Sequence, residues 1–210
     1  MMRKILLLLL AASALDMVAK TDDVFAPVEG ASGAGLEPVT DTELVFPAAY
    51  VEDFKVDGDM TKGVWQKARR VPEMFDSARR AEMECRSDVR ILYSKSAIYV
   101  GATLWQDMAK MTARYDQRDM PVWNDDSIEV LLFVPSENGN RLCRFVLNPI
   151  NSFTDLRDGD KSYWVPGNKH ATKRFDDRWT LELKLPFAGI PMDRPVAGDF
   201  IGVRDRKSVV

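Results

Sequence analysis

The chain has 210 residues, 46% of them hydrophobic and 29% charged, with a formal net charge of −3. A balance this mild supplies no electrostatic attraction for nucleic acid or an anionic membrane surface, so nucleic-acid recognition is set aside. The first 50 or so residues are unlike a folded core, which leaves roughly 160, enough for one domain around a single hydrophobic core.

The N-terminus reads MMRKILLLLLAASALDMVAK. Arg3 and Lys4 give a positive start, Ile5–Leu15 is apolar, and Ala12-Ser13-Ala14 offers a small-residue cleavage site, with Val18-Ala19 a later one. The apolar run is shorter than the roughly 20 residues needed to cross a bilayer of about 30 Å. The pattern predicts a secretory signal peptide over residues 1–19, and hence a secreted or periplasmic protein with no membrane attachment after cleavage. Export makes a disulfide chemically possible. Cys85 and Cys143 are the two cysteines, and either a bridge between neighbouring strands or two buried thiols fits them. With His170 the single histidine, they form no zinc cluster.

Residues 20–48 are rich in Gly, Ala, Pro and acidic side chains without periodicity, and read as a flexible linker. The GASGAG within it neither follows a strand nor opens a helix, which argues against a phosphate loop. From Val51 onward, short strands punctuated by turns predominate. A turn at Asp57-Gly58 leads to a short helical segment near residues 61–69 carrying Trp65 and Ala68. CRSDVRILYSKSAIYVGATLW predicts a hairpin turning at Ser94-Lys95-Ser96. DSIEVLLFVPSENGNRLCRFVLNP predicts a second, turning at Glu137–Asn140. RWTLELKLPF alternates over Trp179–Leu185, and GDFIGVRDR begins a further strand. Strands at hairpin spacing, with no long amphipathic helix, predict an all-β fold: an antiparallel, jelly-roll-like β-sandwich.

Side chains alternate across a strand. Ile128, Val130, Leu132 and Val134 form one apolar face, while Ser127 and Glu129, with Asp125 and Trp123 if the strand extends, lie on the other. On the returning strand Cys143, Phe145 and Leu147 face the core, and Arg144, Val146 and Asn148 face away. Aligning the apolar faces places Glu129, Arg144 and Asn148 on one surface near Trp123. Carboxylate, guanidinium and amide groups beside an aromatic ring suit a polyhydroxylated ligand, by hydrogen bonds to hydroxyls and stacking on C–H groups. A solvated sheet face carrying an ordinary cross-strand ion pair fits the spacing as well.

The same stretch, RDMPVWNDDSIEVLLFVP, holds Asp119, Asp125 and Asp126, oxygen ligands of the kind that take calcium, although turn formation also explains them. A glycosidase needs two carboxylates about 5–9.5 Å apart. Asp125 and Glu129 stand roughly 13 Å apart by strand rise, and Asp126 and Glu129 point to opposite faces, so no catalytic pair is predicted.

In order, VDGDMTKGVWQKA, SDVRILYSKSAIYVGATL, RDMPVWNDDSIEVLL, FVLNP, RWTLELKLPF and GDFIGVRDR resemble the family 9 carbohydrate-binding modules. The resemblance runs over Phe54–Arg206. It implies a non-catalytic β-sandwich of secreted bacterial proteins, covering residues 50–210 here, often attached to O-glycosyl hydrolases. It further implies binding of xylan- or cellulose-type or other plant or algal polysaccharide between two tryptophans, with structural calcium. Carried over by position, it makes Trp123 one aromatic wall, Glu129 a hydrogen-bonding carboxylate and Asn148 a sugar-contacting amide. A sugar-contacting arginine of the family falls at Val146, which leaves Arg144, two positions away on the same face, as its substitute. The second tryptophan falls beyond RDRKSVV, so the domain is expected to lack its last strands.

Of the other tryptophans, Trp65 and Trp179 read as core, while Trp105 and Trp164 are candidates for the rim of the site. His170 reads as a solvated side chain. Two alternatives stay open. One is a haem-b-binding electron-transfer domain of the wider sandwich superfamily, prompted by Met108, Met111 and Met120. The other is a structural or interaction module with a degenerate site.

Overall fold

Alternating apolar and polar residues become strands packed face to face. In the computed structural model, residues 48–71, 86–132 and 141–190 are described in full. Residues 4–12, 75–76, 81–82, 133–134 and 200–205 are described as strand backbone. In chain order the strands are β1 (Lys4–Ala12), β2 (Ala49–Tyr50), β3 (Phe75–Asp76), β4 (Ala81–Glu82), β5 (Ser87–Tyr93) and β6 (Ala97–Trp105). They continue with β7 (Ser127–Val134), β8 (Arg141–Leu147), β9 (Phe153–Arg157), β10 (Lys169–Arg174), β11 (Arg178–Pro186) and β12 (Phe200–Asp205).

Two five-stranded sheets result, sheet I ordered β12-β1-β7-β8-β9 and sheet II ordered β10-β11-β6-β5-β2, with β3 and β4 as a separate two-stranded ribbon. The pairings are antiparallel except β1 with β7 and β2 with β5. Ile128, Val130, Phe145 and Leu147 of sheet I meet Val100, Leu104, Leu181 and Leu183 of sheet II in one buried core. The strand parity read from the sequence therefore assigns the inward faces correctly. The sandwich architecture is the expected one, with two parallel contacts added.

The two hairpins form as expected. β5 and β6 turn at Ser94–Ser96, where the Ser94 hydroxyl accepts from the amides of Ser96 (3.0 Å) and Ala97 (3.1 Å). β7 pairs with β8 from Ile128↔Leu147 to Val134↔Arg141, and their predicted turn lies outside the described residues. The helical segment is a single 3-10 turn, Gly63–Lys67. β9 and β10 are additional to the strands expected from the sequence. Both are short edge strands, and β10, KHATKR, carries almost no apolar alternation.

The apolar run expected as a leader is a strand in the structure. β1 lies parallel to β7, Lys4↔Ser127 to Leu10↔Phe133, and antiparallel to β12, Leu7↔Asp205 to Ala12↔Phe200. A continuous apolar run suits a strand with neighbours on both sides as well as it suits a leader, because both are defined by unbroken hydrophobicity. The expected linker, apart from residue 48, lies outside the described residues. Cys143 is a buried free thiol whose nearest polar partner is the Tyr163 hydroxyl at 3.8 Å, while Cys85 lies outside the described residues.

Candidate functional site

The chain crosses from β6 to β7 through residues 106–126, and this crossover is tied down onto the outward face of sheet I. Asp125, fully buried, accepts from the amides of Arg114 and Tyr115, each at 3.0 Å. Asp126 accepts from the Thr112 amide (2.9 Å) and the Gln106 side chain (3.2 Å). From β9 and the residue just before it, the Thr154 and Ser152 hydroxyls donate to the carbonyls of Met120 (2.7 Å) and Gln117 (2.6 Å). Val122 is buried under a 3-10 turn, Val122–Asn124, and that turn presents the next residue, Trp123, half-buried at the surface.

Beneath Trp123 lie Glu129 of β7 and Arg144 of β8. The register sets Glu129 opposite Val146 and Arg144 opposite Leu131, so the two are diagonal neighbours on the same face. Arg144 Nε donates to Glu129 Oε2 at 2.8 Å, and its Nη2 stands 2.7 Å from the same oxygen. The Arg144 guanidinium lies 5.2 Å from the Trp123 ring centroid. Lys161 reaches the same ring from the loop after β9, its ammonium 5.3 Å from the centroid. Glu129 is almost wholly covered, whereas Arg144 and Trp123 are partly open and Lys161 is exposed. This cluster pairs an aromatic ring with charge-assisted donors held in place by a buried carboxylate.

Asn148 stands apart from the expected shared surface. It is fully buried, donates to the Tyr115 carbonyl (2.8 Å) and Asp125 Oδ2 (3.0 Å), and accepts from the amides of Ile150 (3.2 Å) and Ser152 (2.8 Å). With both donors and both acceptor directions occupied, it acts as a strut under the crossover rather than a free ligand contact. It lies on the predicted face, but the crossover covers it.

Asp119, Asp125 and Asp126 do not converge. Asp125 faces Arg114, Tyr115 and Asn148, and Asp126 faces Thr112 and Gln106. Asp119, at φ 61°, pairs with Arg118 at 3.2 Å. Among the described residues no group of three or more His, Cys, Asp or Glu side chains could hold a metal ion. The three aspartates therefore do not fit a shared calcium site; two of them serve as latches of the crossover.

Beyond Trp123 the edge of sheet I carries a second aromatic assembly. Arg118 pairs with fully buried Asp155, and its guanidinium stacks 4.0 Å from the centroid of Trp164. Burial pushes the Asp155 carboxyl above its usual value, against the opposing pull of the Val165 amide and Arg118. Trp164 is 56% exposed. The sequence offers Trp164, with Trp105, as a candidate for the rim but does not single out Arg118 or Lys161, since loop residues carry no periodic signal.

His170 is packed, not solvated as expected. Its ring stacks on Phe153 at 4.7 Å, and Nδ1 lies 2.9 Å from Asn151 Oδ1. Burial, with Arg118 and Lys169 nearby, lowers its pKa to about 4. Trp65 and Trp179 are core residues, as read from sequence. Trp105 is half-buried at the end of β6, capped by the Arg86 guanidinium at 4.6 Å. Met108 packs against the main core, in keeping with methionine as a filler of irregular gaps.

The family described as carbohydrate family 9 binding domain-like matches residues 56–205. No curated protein matches. A family 9 carbohydrate-binding module from Caldicellulosiruptor kristjanssonii in complex with cellotriose superposes with a TM-score of 0.54 at 14% identity, covering 74% of this chain and 72% of that one. The same type of module from that organism in complex with glucose gives 0.51 at 16% identity, covering 73% and 74%. A candidate carbohydrate-binding protein from Bacteroides uniformis gives 0.53 at 11% identity, covering 76% and 88%. These likenesses establish the sandwich fold, and the extent of the family match establishes membership. The chain belongs to the carbohydrate family 9 binding domain-like family, a family of non-catalytic modules.

Proposed function

We propose that this domain binds saccharides on the outward face of sheet I, without chemistry, by stacking on Trp123 and hydrogen bonding to the Glu129–Arg144 pair. The observation that carries this reading is the arrangement of that trio. A tryptophan ring is left partly open directly over an arginine that a buried carboxylate holds at 2.7–2.8 Å. Fixing the guanidinium in advance removes side-chain entropy that a ligand would otherwise have to overcome. The ring supplies an apolar surface for sugar C–H groups, and the guanidinium supplies donors for hydroxyls.

Family membership supports the same reading, and the cellotriose and glucose complexes of the Caldicellulosiruptor modules make β-linked glucans the first ligands to test. Within this proposal the natural ligand is a plant-type glycan chain met outside the cell, where a module of this kind would serve glycan breakdown. Isothermal titration with cello- and xylo-oligosaccharides tests it. Saturable heat at millimolar sugar or below is expected, and it should be weakened about tenfold or more by Trp123→Ala. A folded protein giving no heat with either series overturns the proposal.

A further inference from the structure

We propose that Trp164 is a second stacking platform of the same saccharide site, engaging a glycan residue beyond the one held at Trp123. This inference rests on the proposed function and specifies the ligand as an extended chain, not a single sugar.

Among the described residues three large hydrophobic side chains are exposed: Tyr50, Phe175 and Trp164, with Trp164 the most open at 56%. Its display is built. Tyr163 and Val165 on either side are buried, and the Val165 amide donates to Asp155 Oδ2 at 2.9 Å, so the backbone beneath the ring is pinned. One face of the ring is backed by the Arg118 guanidinium at 4.0 Å, and Arg118 is itself anchored by Asp155 and Asp119. The indole is thus held from behind and below while much of its surface stays in water. A single exposed aromatic is ordinary on a protein surface. One oriented through two buried neighbours and a stacked ion pair is preorganised for a flat partner.

Two stretches of chain make this ring continuous with the Trp123 cluster. Residues 118–123 run from the arginine under Trp164 to Trp123, and residues 161–164 run from Lys161, whose ammonium lies 5.3 Å from the Trp123 centroid, to Trp164. Each ring carries its own cationic donor, Lys161 at Trp123 and Arg118 at Trp164. Among the described residues Lys161 has no carboxylate within ion-pair distance, so its donors are available to ligand hydroxyls. Aromatic faces alternating with cationic donors along a strip match a glycan chain, which alternates C–H faces with hydroxyl edges.

The experiment measures affinity for cello-oligosaccharides from the disaccharide to the hexasaccharide, for the wild type, Trp164→Ala and Trp164→Phe. Affinity of the wild type should rise with chain length. Trp164→Ala should bind the disaccharide as the wild type does and lose about tenfold for the hexasaccharide, with Trp164→Phe largely restoring it. Equal hexasaccharide affinity in Trp164→Ala overturns the inference while leaving the Trp123 site intact. An equal loss at every length also overturns it, because Trp164 would then belong to the first sugar subsite or to the fold. Unchanged sugar binding with an altered sedimentation coefficient makes the ring a contact between copies of the chain and overturns it as well. No binding by the wild type would overturn the proposed function and this inference together.

Discussion

Each sheet carries, on its outward face, a carboxylate, a cationic side chain and a tryptophan brought over them by a crossing segment, yet the two trios are finished differently. On sheet II, Glu182 is fully buried and accepts from the Trp65 indole N–H (2.8 Å), the Lys62 ammonium (2.8 Å) and the amides of Asp57 (2.7 Å) and Gly58 (2.9 Å). Trp65 is 1% exposed and lies against Gly101, where an added Cβ would stand 2.7 Å from its ring. On sheet I, Glu129 accepts from Arg144 alone among the described residues, and Trp123 rests over the arginine half-buried, with part of its ring open. The first tryptophan uses its N–H to close the structure, whereas the second is held by a cation against its face. A closed trio stabilises a fold; an open one offers a surface.

The contrast predicts opposite responses to mutation. The largest effect is expected at the closed trio. Glu182→Ala leaves a buried indole N–H and two amides without their acceptor and removes one of the two carboxylates that hold the Lys62 ammonium, and should cost about 3–5 kcal/mol. Thermal unfolding should fall by roughly 10 °C in a domain of this size, with little change in the sugar affinity of the protein that remains folded. A melting temperature within a degree or two of the wild type would remove the distinction between the trios.

Asn148→Ala tests whether the strut belongs to the closed class despite its place on the open sheet. Loss of four hydrogen bonds around buried Asp125 should cost about 2 kcal/mol, visible in denaturant titration as a lower midpoint. Sugar affinity measured well below that midpoint should hold. A specific loss of affinity at full stability would return Asn148 to the site. Trp123→Ala should behave the other way, with unfolding shifted by less than about 1.5 kcal/mol and saccharide affinity reduced about tenfold or more.

The smallest expected effect comes from His170, which borders the second ring's anchor through Phe153 and the Arg118 field. Its folded pKa of about 4 lies below the ordinary 6.5. As pH falls from 6.5 toward 4 the unfolded chain takes up the proton first, so stability declines across that window and levels off below it. The decline should be on the order of 1 kcal/mol after screening. His170→Gln should flatten it, as followed by melting at stepped pH. Asp53, held below its usual value first by the Ser94 hydroxyl, contributes its own loss only below about 3.8, so the two windows separate. An undiminished decline in His170→Gln would place the titrating group elsewhere.

The sequence revealed the architecture wherever a strand had one face in the core. The alternation in β7, β8 and β11 assigned inward residues correctly because burial of one face forces a period of two. The edge strands β9 and β10 escaped, since an edge need not be apolar. The run at Lys4–Ala12 shows the limit of hydrophobicity as a signal: unbroken apolarity describes a leader and a strand with partners on both sides alike. For the site, parity placed Glu129 and Arg144 together on the outward face, and the structure joins them in an ion pair. Parity could not say what covers a face. The crossover buries Asn148 and uses Asp125 and Asp126 as latches, and long-range hydrogen bonds of that kind leave no periodic trace. Arg118 and Lys161 were missed for the same reason.

The proposed function requires the trio on sheet I to be open to saccharide and the trio on sheet II to be closed to it. The five tryptophans give five indole N–H signals in a nitrogen-15 correlation spectrum, assignable by single Trp→Phe variants. Titration with cellohexaose should move the Trp123 signal progressively and saturably, while those of Trp65 and Trp179 stay fixed. A fixed Trp123 signal at saturating sugar, or movement of Trp65 in its place, would rule out saccharide binding at the sheet I trio.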